Sequence, residues 1–421
     1  MSVRILASMS AYRRLFAART ISNIGNGMAP VALAFGVLGL PEGSPTALSI
    51  VLAAQAIPLV IFLPIGGVIA DRVGRPLMIG ICDMLLFAVI ATIGLLFITD
   101  SATIPLLIGL QVLAGILNGL WYPAYPGLIS DVVPEEHLQP ANAYLSVGSN
   151  GGFIVGTAIG GVLVTFFGSG WAIFLDAFTF LAAGALVFSF RRLSRPHHSG
   201  ESPVRDLIDG WKTFISYRWI VAVVLAFSLI VMVMRGAEEV LGPVLAEEEY
   251  GGPAGWSAVL GALAVGLLIG ALVASRLRIE RPIAFGMLMC LTLPAWLLTL
   301  ALAAPLPVIM LGAFAWGLAI EFFQVLWFTA LQRNVPPESL SRVSSYDAFG
   351  SLMFGPIGLA LAGPLLIFIP ISEAFAIAAL IAALGAAGAL LVPSVWRLRS
   401  RDGYAVAADG YAVTADDTTV T

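Results

Sequence analysis

Hydrophobic positions fall into twelve long runs separated by short polar breaks. They cover roughly 15–40, 47–70, 77–98, 104–132, 143–167 and 171–190, then 219–245, 254–275, 283–303, 306–332, 344–369 and 373–395. At about 1.5 Å per residue, most are long enough to cross ~30 Å of hydrocarbon as helices. The pattern predicts an all-α membrane protein with twelve transmembrane helices.

The longest internal break, 191–218, divides the runs six and six. Within it Val204, Leu207, Ile208, Trp211, Phe214 and Ile215 recur at helical spacing, opposite Arg205, Asp209 and Lys212. This predicts a helix lying in the inner membrane interface. The expected organisation is a six-helix bundle over 1–190, a cytoplasmic linker over 191–218, a second bundle over 219–400, and a disordered cytoplasmic tail over 401–421.

The two halves echo each other. At an offset of 202 residues, Val133, Pro134, Tyr144, Gly148, Gly156 and Gly161 match Val335, Pro336, Tyr346, Gly350, Gly358 and Gly363. At an offset of 204, Gly66, Ala70 and Arg72 match Gly270, Ala274 and Arg276, but Ser275 stands where the first copy has Asp71. Parallel six-span halves of this kind are expected of a rocking transporter with its site between them.

Composition agrees with the pattern: of 421 residues, 59% are hydrophobic and 11% charged, with a mean hydropathy of +0.97. Soluble domains carry about 25% charge. A net charge of -4 argues for no nucleic-acid partner, and the position of the charges is more informative. With the amino terminus inside, nineteen of the twenty-one Lys and Arg fall in cytoplasmic segments. The other two, Arg19 and Arg235, lie within spans, and the outside loops hold none. By the positive-inside rule both termini are cytoplasmic. Cys82 and Cys290 lie in apolar runs of opposite halves and read as small buried hydrophobes, with no disulfide or metal spacing.

One stretch organises the chain. Gly66-Gly67-Val68-Ile69-Ala70-Asp71-Arg72-Val73-Gly74-Arg75 takes an apolar helix end into an acid, two arginines and a tight turn. Its spacing, G-x-x-x-D-R-x-G-R, resembles the signature loop between the second and third helices of the major facilitator superfamily of secondary transporters. Leu15 to Gly25, Gln332 to Glu338, and Gly355-Pro356-Ile357-Gly358 resemble the branch that includes bacterial macrolide efflux pumps and siderophore exporters, the drug:proton antiporter-3 group. The resemblance covers nearly all of 15–395. Three places depart from it. Gln111 replaces an Arg four residues before Gly115, Gly156-Thr157 replaces a Gly-Pro, and Asn26 replaces an acid. The best-known route for proton coupling therefore lacks its usual residues.

The resemblance implies two pseudo-symmetric six-helix bundles whose first, fourth, seventh and tenth helices line a central cavity. That places Asn23, Asn26, Asn118, Arg235, Glu238, Glu239, Glu321 and Gln324 as candidates for binding substrate or protons. A charge at mid-membrane costs ~2.5–3.5 kcal/mol on insertion scales, so Glu321 leads. Arg235 and Glu238, three apart, are placed to pair. Arg19, near the inner end, reads as snorkelling to headgroups. Relatives also pair an acid at the place of Asp131 with the signature arginines. Gly67, Asp71, Arg72, Gly74, Arg75 and Asp131 are thus expected to form a cytoplasmic latch.

The functional expectation is a secondary transporter exporting a bulky, partly apolar small molecule by alternating access, with proton antiport as the drive. The alternative is an uptake permease of the same fold. An enzyme is not expected, because no His lies in any run, and ATP-driven pumping is not, because no P-loop pattern is present. No cofactor is expected. The expected partners are the solute, protons and membrane lipids, and the expected working form is a monomer in a bacterial inner membrane.

Overall fold

In the computed structural model, residues 5–6, 8–134, 137–191, 211–274, 277, 279–335, 337–399, 404–406 and 412–414 are described. Twelve helices among them are long and apolar enough to cross a membrane. They are Ser10–Leu38, Pro45–Gly66, Arg75–Ile98, Ile104–Trp121, Tyr144–Phe167, Ser169–Phe188, Arg218–Glu249, Pro253–Ala274, Pro282–Ala301, Leu306–Asn334, Val343–Leu365 and Ile371–Leu390.

Four runs are interrupted where apolarity alone shows no break. The fourth helix stops at Trp121, and Pro123 precedes a second helix, Ala124–Val132. The ninth span turns at Cys290 and Leu291, between Pro282–Met289 and Thr292–Ala301. The eleventh divides into Pro337–Leu352 and Gly355–Leu365. The seventh carries one π-helical turn, Ala237–Leu241, between Arg218–Gly236 and Gly242–Glu249. Proline removes a helical donor and crowds the preceding turn, and π-turns commonly mark functional positions.

The chain forms two compact units. One comprises Met1–Ser199, Glu238–Ala264 and Leu359–Phe368; the other comprises Gly200–Ala237, Val265–Gly358 and Ile369–Thr421. The first thus takes in more than the expected bundle over 1–190, and its seam within the seventh span falls at the π-turn. In the first unit, span one packs on spans five and six, three on six and four, and two on four. In the second, span seven packs on eleven and twelve, and nine on twelve and ten. Four of these pairings repeat with every span advanced by six.

Small residues explain the repeat. A Cβ on Gly156 would collide with the carbonyl of Ile24, and one on Gly358 with the carbonyl of Met232, so each matched glycine lets a helix lie on the backbone of its unit's first span. Gly66 lies in the same way on Gly119, and Gly270 on Leu318.

Most of the interfacial helix expected over 204–215 lies outside the described residues, as do His197 and His198. Residues 211–216 are helical, and Trp211 and Phe214 pack on Tyr346 with ring centroids 5.5 and 5.8 Å away. In the tail, Tyr404–Val406 and Ala412–Thr414 pair as antiparallel strands.

Candidate functional site

The signature loop is a one-residue junction. Gly74, at φ 99°, ends the helix Pro45–Val73 and begins Arg75–Ile98. Only glycine holds that conformation without strain. Its N–H bonds the Ala70 carbonyl at 2.9 Å, and its own carbonyl accepts from Met78 at 3.0 Å. Arg75 thereby starts the next helix, and its Nη1 reaches Asp131 Oδ1 at 3.2 Å, with both side chains about one-quarter exposed. Arg72 is exposed. The surroundings of Gly67 and of the Asp71 side chain lie outside the described residues.

Within the first unit, two asparagines expected to face a solute turn their amides onto their own helices. Asn23 Nδ2 donates to the Arg19 carbonyl at 2.8 Å, and Asn118 Nδ2 donates to Ala114 at 2.9 Å. Their side-chain carbonyls are the groups left for a ligand. Asn26 is exposed, while Gln111 is buried with an unpartnered Oε1. Asp176 is also buried: Thr179 donates to its carboxylate at 3.2 Å, and the carboxylate sits where a side chain on Gly25 would be.

Arg19 lies over two aromatic rings. Its guanidinium carbon lies 4.0 Å from the centroid of Tyr125 and 5.3 Å from that of Trp121. These rings are themselves stacked, 5.5 Å apart and 7° from parallel. The buried acid Asp83 lies within electrostatic range, but no ion pair joins it to Arg19 among the described residues. A planar guanidinium is well suited to lie over aromatic faces in this way.

In the second unit, Glu321 and Gln324 stand on the tenth span, half-buried. Glu321 makes no hydrogen bond or ion pair among the described residues. Arg235 is exposed just before the π-turn, and Glu238 and Glu239 occupy the turn itself, half-buried. All three have partners. On the tenth span Trp316, Phe322, Phe323 and Trp327 are buried as packing.

One in-span acid escaped the sequence reading. Asp347 Oδ2 accepts from Trp327 Nε1 at 2.8 Å, and Ser351 Oγ lies 3.4 Å from Oδ1. Its place near the start of the eleventh run makes it resemble a helix-end residue; the usable signal was a carboxylate one helical turn before Ser351. No group of three or more His, Cys, Asp or Glu capable of holding a metal occurs among the described residues.

Comparison with known proteins agrees with this architecture. A model of the Major Facilitator Superfamily matches residues 15–351. The Enterobactin exporter EntS of Escherichia coli O81 (strain ED1a) is 28% identical over 382 residues, spanning 85% of this chain and 88% of that protein. The same exporter from Escherichia coli O1:K1 / APEC is 27% identical over 382 residues. A POT family transporter crystallised with 5-aminolevulinic acid superposes with a TM-score of 0.71 at 13% identity, over 89% of this chain and 94% of that one. A bacterial homologue of the iron transporter ferroportin, in an inward-facing state, gives 0.69 at 15% identity, over 91% and 99%. At such identities the two structures speak for the fold alone.

Proposed function

The chain belongs to the Major Facilitator Superfamily, and from that premise we propose that it exports a bulky, partly apolar small molecule by alternating access. It is a multi-pass membrane transporter and not an enzyme. The observation that carries the direction is the similarity to an exporter along 85% of this chain and 88% of the relative. A siderophore-like metabolite or a macrolide-like drug fits that relationship. The charge distribution supports cytoplasmic termini in a bacterial inner membrane, and the proposed working unit is a monomer among lipids.

Proton antiport is the proposed drive. One charge crossing 100 mV is worth ~2.3 kcal/mol, enough for a roughly fifty-fold solute gradient per proton. Glu321 is the proposed proton or substrate-cation site, supported by its half-buried place and by having no hydrogen-bond partner among the described residues. Arg235, Glu238, Glu239, Gln324, Asn23, Asn26 and Asn118 are the proposed secondary contacts. The cytoplasmic latch of Gly67, Asp71, Arg72, Gly74, Arg75 and Asp131 is proposed to hold the inner side shut when the outer side is open, supported by the Arg75–Asp131 pair.

The test is expression in a pump-deficient bacterium, with drug resistance and metabolite retention measured before and after the proton gradient is collapsed. Gradient-dependent loss of solute from the cells is expected. Gradient-dependent accumulation would instead establish the uptake reading.

A further inference from the structure

The aromatic pair under Arg19 has a counterpart. At the repeat offset of 202, Trp121 and Tyr125 correspond to Phe323 and Trp327, which also stack, 5.9 Å apart and 19° from parallel. In the second unit that stack is covered by another aromatic, Trp219, edge-on to Trp327 at 5.4 Å. The stack is therefore covered by an aromatic ring in one unit, where Trp327 also donates to Asp347, and by a cation in the other. Packing does not require the charge.

The cation is also incompletely satisfied. Tyr125 and Trp121 occupy one face of the guanidinium, Nε is buried without a hydrogen-bond partner, and no carboxylate forms an ion pair with it among the described residues. Asp83 supplies field without contact. The Arg19 side chain is nevertheless only half-buried. A planar fork of N–H donors seated over two aromatic rings, with one donor lacking a partner, matches an oxyanion in geometry and charge.

We propose that Arg19, laid on the Tyr125–Trp121 platform, anchors an oxyanion group, a carboxylate or phenolate, of the transported solute. This rests on the export reading for the identity of the solute as cargo. It narrows the substrate class to organic anions with an apolar body, and it places the contact on the first and fourth spans.

Binding to the purified full-length chain in detergent tests it, with 2-naphthoate as the anionic probe and 2-naphthalenemethanol as its neutral counterpart. A charge-assisted hydrogen bond is worth about tenfold or more in affinity. Naphthoate is expected to bind about tenfold or more tighter than the alcohol. Arg19→Gln should erase that preference while leaving the alcohol's affinity unchanged, and Arg19→Lys should keep part of it. Equal affinity for the two probes, no saturable naphthoate binding, or loss of both probes in Arg19→Gln would each overturn the proposal. Binding is read without transport, so a wrong direction of transport would show in vesicle assays and leave this result standing.

Discussion

Gly363 donates its backbone N–H to the Ser49 hydroxyl oxygen at 2.7 Å, joining the eleventh span to the second inside one compact unit. Ser49 is fully buried, and a Cβ on Gly363 would collide with the carbonyl of Pro45. A Cβ on Gly161 would stand 2.5 Å from the Ser257 hydroxyl, where the fifth and eighth spans meet. Small residues here allow backbones to meet, and the proposed alternating access would require these contacts to form and part in each cycle.

Bulk at Gly363 should therefore be worse than loss of the hydrogen bond. Gly363→Val is expected to remove most transport in proteoliposomes while the protein still elutes as a single species. Ser49→Ala, which loses one bond worth about 1 kcal/mol, should change the rate by no more than about fivefold. Normal transport by Gly363→Val would show that the contact is not used in the cycle.

The Arg75–Asp131 pair is partly exposed, so its contribution to stability is expected to be below about 1 kcal/mol. Its contribution to transport should be larger if it belongs to the latch. Asp131→Asn and Asp71→Asn are each expected to depress transport while leaving protein in the membrane. The exchanged pair, Arg75→Asp with Asp131→Arg, should recover part of the activity lost in either single variant. Full activity in both Asn variants would remove the latch.

The spans were legible because each is a run of apolar residues far longer than any polar break. The repeat was legible because Gly156 and Gly358 answer the same steric demand against Ile24 and Met232. Interruptions at Pro123 and Cys290 were not, since apolarity continues through them and only hydrogen-bond geometry changes, and the two acids of the Ala237–Leu241 turn do not by themselves distinguish a π-turn from an α-turn. The aromatic partners of Arg19 were not legible for a related reason. Whether a long cation reaches for headgroups or lies on a neighbouring helix depends on Trp121 and Tyr125, about a hundred residues away. Asp347 escaped because its partner, Trp327, is on another span.

The Trp327–Asp347 hydrogen bond predicts a stability difference between two mild substitutions. Trp327→Phe keeps the ring stack but leaves the carboxylate with only the Ser351 contact at 3.4 Å, an expected cost of about 1–3 kcal/mol. Asp347→Asn keeps an acceptor for the indole and should cost less. Thermal unfolding in detergent, followed by Trp fluorescence, compares them; a more stable Trp327→Phe would show that the bond contributes nothing net.

Glu321 yields the sharpest separation of drive from passage. Glutamine has nearly the shape of a protonated glutamate but cannot release the proton. If Glu321 carries the proton that returns, Glu321→Gln locks the carrier in its neutral form. Solute-for-solute exchange, which needs no proton movement, should then continue, while accumulation against a gradient falls from as much as fifty-fold per proton toward equality. If Glu321 instead holds a cationic group of the solute, exchange and accumulation should fail together. Counterflow and gradient-driven transport in the same proteoliposomes read the two quantities side by side. Uphill pumping by Glu321→Gln would exclude both roles, and attention would pass to Glu238 and Glu239, whose π-turn lies at the seam of the seventh span.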